Sequence, residues 1–174
     1  MFAADSIRYG VAGLLAYAAA SKLADFRAFR RNVTGFLKVS DTTALYLAPV
    51  VIGVEAALAA ALAFDAVRRT AWLSTALLIF FVFTGLLARA HAGRDVVKCS
   101  CFGEGERPVS AHDVARNVVI ATGLAFCLVV EPATDARAAV ACALASAFGV
   151  LWVVVLSQFH RIVVLVLHAS DGAP

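Results

Sequence analysis

Residues 44–64 read ALYLAPVVIGVEAALAAALAF. Across this run there is one acidic or basic side chain, Glu55, and one proline, Pro49. At ~1.5 Å per residue a helix of that length spans about 30 Å, the thickness of a bilayer's hydrocarbon core. Similar apolar runs occur at 7–24, 70–90, 113–130 and 137–159, the last extending past His160 and Arg161 to Leu167. None alternates with the two-residue period of a transmembrane β-strand. Backbone polar groups in lipid must be satisfied within their own segment. The predicted fold class is therefore all-α, an integral membrane helical bundle.

Composition points the same way. Of 174 residues, 62% are hydrophobic and 16% charged, against about 45–50% apolar and about 25% charged in soluble domains. The predicted environment is the lipid bilayer. No basic patch interleaved with aromatics marks a nucleic-acid surface. The first run carries small residues at Ala18–Ala20 that resemble a cleavage site, but Asp5 and a single Arg8 make a poor basic leader. A retained first helix is expected.

Segment 26–39, FRAFRRNVTGFLKV, breaks the apolar pattern. Phe26, Phe29, Val33, Phe36 and Leu37 recur at helical spacing, with Arg27, Arg30, Arg31 and Lys38 between them. This predicts an amphipathic helix at the membrane surface. With five crossings, one side of the membrane collects Lys22, the basic residues of 26–39, Arg89, Arg94, Lys98, Arg107 and Arg161; the other has Arg8, Arg68, Arg69 and Arg137. The positive-inside rule then places the 94–110 connection in the cytoplasm.

That connection contains KCSCFGEGE, residues 98–106, with Cys99 and Cys101 one residue apart. Two sulfurs so close can form a small strained ring, and strained disulfides exchange readily. Arg94, Lys98 and Arg107 favour the attacking thiolate, while Glu104 and Glu106 oppose it. Redox exchange is the reading preferred for this pair. A metal carrier is a second reading, with His91 and His112 adding imidazoles to hold Zn or Cu(I), although the spacing is tighter than zinc sites use. Incidental loop cysteines are a third. Cys127 and Cys142 lie in apolar runs and read as small packing residues.

Glu55 falls near mid-bilayer, where an unpaired charge costs roughly 3 kcal/mol. It must be protonated and bonded to a hydroxyl, paired, or turned into the bundle. Lys22, near the end of the first run, is the nearest candidate cation. Arg116 and Asn117 lie early in the fourth run, within two turns of the cysteine loop. Asn117 is placed to bond across helices. Arg116 is expected to snorkel to the surface or to stabilise a thiolate. Ser110 or Asp113 is expected to cap this helix.

Taken together, Ser21–Asp25 (SKLAD), Pro49 before Val54-Glu55, Cys99-Ser-Cys-Phe-Gly103, Ser110 and Arg116-Asn117 resemble the MauE family of methylamine-utilisation membrane proteins, within the DoxX-like four-helix group. The resemblance implies a four-helix membrane domain over 1–131 and an additional C-terminal helix and tail in 132–174. It implies a thiol–disulfide role beside a thioredoxin-like partner, in maturing a client such as the methylamine dehydrogenase small subunit. The reactive pair would be Cys99 and Cys101, and the supporting intramembrane pair Lys22 and Glu55. The family's usual Cys-Gly-Cys is Cys-Ser-Cys here. Such work on exported proteins belongs outside the cytoplasm, so the resemblance and the charge count disagree; the extracytoplasmic side is taken as the expectation. A quinone as electron carrier is an analogy with other four-helix disulfide-forming membrane enzymes. A non-enzymatic assembly factor docking a partner through 26–39 is the alternative.

Overall fold

The computed structural model describes residues 2–64, 68–93, 111–130 and 151. The cysteine loop, the 137–159 run with Cys142 apart from Leu151, and the 131/132 boundary lie outside these. The described elements are helices: α1 Phe2–Ala24, α2 Phe26–Leu37, α3 Asp41–Phe64, α4 Arg69–Ala92 and α5 Ala111–Val129, with no strand among the described residues.

The apolar runs predict the four long helices, with one notable shift. α1 begins five residues before its run, because Ser6 and Arg8 are buried along with Ala4. Polar side chains that look like a boundary in sequence are carried inside by packing. α3 starts at a local hydrogen bond: the Thr43 backbone N–H donates to Ser40 Oγ at 3.1 Å. Pro49 lies within α3, where it removes one donor from the helical ladder.

α1 packs chiefly on α3 and α4 on α5, with further contact between α1 and α5. At that last contact Gly123 allows close approach, since a Cβ there would sit 3.1 Å from Ile7 Cγ2. Leu14, Leu58, Leu62, Leu73, Ala76 and Leu124 form the centre of the main core.

Two described helices, α3 and α4, are long and apolar enough to cross a membrane. Only 28% and 22% of their apolar windows are buried inside the molecule, which is not how a core helix of a soluble protein is placed. Phe64, Leu78 and Phe81 are 88%, 65% and 67% exposed. So much outward apolar surface fits lipid, and the architecture is that of a helical membrane protein.

The amphipathic segment forms α2, as its spacing predicts. Asp25 caps it, its Oδ1 accepting from the Ala28 N–H at 3.0 Å. Lys38 ends it in the left-handed conformation, φ 54°. Its apolar face does not simply rest on the membrane surface. Phe29 and Val33 bury against Ala44 and Ala48 of α3, so α2 is a wall of the bundle. An ion pair of half-buried Arg30, through Nε, with exposed Asp41 Oδ1 at 3.2 Å also links these two helices.

Candidate functional site

Lys22 lies in the last turn of α1 and Glu55 in the middle of α3. The structure brings them together: Lys22 Nζ donates to Glu55 Oε1 and Oε2, each at 2.6 Å. The two side chains are 4% and 8% exposed. Glu55 is thus paired with a cation rather than bonded to a hydroxyl. The ammonium also lies 5.5 Å from the centroid of the Phe29 ring, contributed by α2. Two charges withdrawn from solvent at this distance hold each other in place, because either one alone would be stranded.

Arg116 and Asn117 are both buried, at 9% and 5% exposure. The expectation that Arg116 snorkels is corrected. Its Nη2 sits 3.8 Å from Asp113 Oδ1, one turn earlier in α5. Burial of Asp113 supplies an inward counter-charge that makes the outward route unnecessary. Asp113 itself stands in the first turn of α5 rather than at its cap; Ser110 lies outside the described residues. The expected bond from Asn117 across helices is not seen at its oxygen: Oδ1 is buried with no hydrogen-bond partner among the described residues.

Lys22, Glu55 and Asn117 line one cavity of about 250 Å³, bounded by residues of all five helices. The remaining lining is almost wholly apolar, with Leu14 and Leu15 from α1, Phe29 and Phe36 from α2, and Phe80 and Phe83 from α4. Nothing in the apolar periodicity signals this space, because it arises where α2 folds back over the bundle. The spacing of Ala44 and Ala48, one turn apart and fully buried, is the sequence trace of that close approach.

Cys99 and Cys101 lie outside the described residues. The elements that flank them are described. Phe36 of α2 and Val114 of α5 pack on Leu87 and Ala90 of α4, so the end of α4, the start of α5 and α2 meet at one end of the bundle. The end of α4 and the start of α5 therefore lie close to Phe36 and Leu87 of the cavity's walls.

At the opposite end a second polar cluster went unread in the sequence. Arg8 Nε lies 3.9 Å from Asp5 Oδ1, and its guanidinium 4.4 Å from the Tyr9 ring centroid. Arg69 Nη1 donates to the Val130 carbonyl at 3.5 Å. Cys127, a buried free thiol, donates to the Ala4 carbonyl at 3.2 Å. It belongs to the main core, as a packing residue would. His91 is exposed on the last turn of α4, and no group of three or more His, Cys, Asp or Glu among the described residues is arranged to hold a metal.

A family model described as "Methylamine utilisation protein MauE" matches residues 1–129. No curated protein and no solved structure matches.

Proposed function

The chain belongs to the MauE family, and from that premise we propose that it is a multi-pass membrane protein relaying disulfides between a thioredoxin-like partner and a client during the client's maturation. Cys99 and Cys101 are the reacting pair, on the extracytoplasmic side. A client thiolate attacks the Cys99–Cys101 disulfide and displaces one sulfur as a thiolate. The client's second thiolate then attacks that mixed disulfide, leaving the client oxidised and the pair reduced. The partner's disulfide reoxidises the pair by the same two displacements. One disulfide is consumed for each one made, so no further oxidant enters the exchange.

The observation that carries this reading is the reach of the family match through both cysteines. The Lys22–Glu55 pair supports it, because it fixes α1 to α3 beneath the end of the bundle from which the thiol-bearing connection emerges. The role assigned to the pair is positioning. Methylamine dehydrogenase is the kind of client the family's name suggests.

A second reading has its own observation. Arg27 and Arg31 are exposed on α2, offering a basic face to an acidic partner that the protein could hold without redox chemistry. Cys99→Ser with Cys101→Ser separates the two. Disulfide exchange predicts that client maturation stops in the double variant and that a membrane-impermeant maleimide labels both thiols in intact, reduced wild-type cells. Full client maturation without the thiols would instead establish the docking role.

A further inference from the structure

The cavity beside the Lys22–Glu55 pair is open on one side, and the opening faces lipid. Among its lining residues, Leu37 of α2 and Val82 of α4 are the exposed ones, at 41% and 55%. The backbones of α2 and α4 stay apart, so the opening lies between these two helices. Val82 stands near the middle of α4, a helix long and apolar enough to cross the membrane. What meets the opening there is acyl chain, not water.

The polar groups at the cavity leave little for a hydrogen-bonding ligand. Both Glu55 oxygens accept from Lys22 Nζ, and their remaining lone pairs belong to a carboxylate that this cation already neutralises. Asn32, on the α2 wall, has a partner of its own. Asn117 Oδ1 has no accessible surface, so it does not face the space. Polar atoms supply only a small part of the wall. Water there would need two to four polar partners. A hydrocarbon chain needs none, and it restores the dispersion contacts that an empty cavity forfeits.

Charge selects which lipid supplies the chain. The cavity is lined by the half of α1 that ends in Lys22, and α2 follows directly, so the space lies just beneath α2. Between Phe26 and Leu37, α2 carries Arg27, Arg30 and Arg31 and no acidic residue. Arg30 is engaged by Asp41; Arg27 and Arg31 are exposed. The basic face of an amphipathic helix sits at the level of the headgroups, where it attracts anionic lipid.

We propose that this cavity takes up one acyl chain of an anionic phospholipid, entering between α2 and α4, with the headgroup drawn to the basic face of α2. The site does not rest on thiol exchange. It is tested in the full chain carrying Cys99→Ser and Cys101→Ser, where failure of one idea leaves the other standing.

The experiment uses phosphatidylglycerol and phosphatidylcholine probes with a photoreactive diazirine on one acyl chain, titrated into phosphatidylcholine discs that hold the protein. Labelled residues are mapped by mass spectrometry. Saturable labelling is expected at Phe83, inside the cavity, and labelling proportional to probe at Leu78, on the outward face of α4. Phosphatidylglycerol is expected to half-saturate Phe83 at about one-tenth the mole fraction that phosphatidylcholine needs, the effect of two basic residues at the surface. Arg27→Gln with Arg31→Gln is expected to remove that preference while the phosphatidylcholine probe still labels Phe83, which shows that the cavity is intact. Filling the cavity by Leu86→Trp from α4, or by Ala18→Leu from α1, is expected to remove labelling of Phe83 and leave that of Leu78. Labelling of Phe83 that does not saturate, or that persists in both filled variants, overturns the proposal. So does a headgroup preference that is absent, or that survives loss of both arginines, in which case Arg27 and Arg31 are left to an acidic protein partner.

Discussion

The two ends of the helical bundle both bury charge, and they do so in different ways. At one end Lys22 and Glu55 meet at 2.6 Å with almost no exposure, next to open space. At the other, Arg8 and Asp5 are 3.9 Å apart, and Asp5 keeps 24% of its side chain exposed. There Cys127, Ala4 and Leu124 pack the interior. The first arrangement is a mutual dependence, in which neither charge has an outlet. The second is a loose pair at a helix end, where one member has access to the surroundings. Burial of an ionisable group is therefore not by itself a sign of function; a tight pair set against a cavity is the more specific feature.

The largest effect expected from this contrast is at the tight pair. Lys22→Met strands Glu55 and should lower unfolding stability in mixed micelles by about 4 kcal/mol. Adding Glu55→Leu should recover most of that loss, since a buried pair replaced by apolar groups is often neutral. A double variant as unstable as Lys22→Met would show that the two do not act as one unit.

Arg8→Met should destabilise less, by no more than about 1.5 kcal/mol, because Asp5 retains an outlet and only a long pair and a ring contact are lost. Equal losses at Arg8 and Lys22 in the same titration would erase the distinction between the ends. The smallest effect belongs to α2. Asp25→Ala removes its N-cap and should cost about 1 kcal/mol. Protection of α2 amides from hydrogen exchange should fall before that of α3, because α2 is held through one apolar face.

Much of this was legible in the sequence where a physical rule demanded an answer. Apolar runs of bilayer length require helices, and Phe29 with Val33 at helical spacing required an amphipathic one. A glutamate within residues 44–64 required a partner, and Lys22 was the cation within reach. Other features had no such rule. Arg116 near a helix end suits snorkelling equally well as burial, and only Asp113 folding in beside it decides the matter. The early start of α1 was hidden because Ser6 and Arg8 look like surface residues until neighbouring helices cover them. The cavity is a property of how α2 packs across α1, α3 and α4, which no local pattern encodes.

The central claim is that Cys99 and Cys101 exchange disulfides with a thioredoxin-like protein. Its most direct test is to trap the exchange midway, by expressing Cys99→Ser and Cys101→Ser singly and examining non-reducing gels. The account predicts a reductant-sensitive adduct with the partner in at least one single variant, absent when both cysteines are serine. No adduct in either single variant, in cells where the partner is present and oxidised, would contradict it.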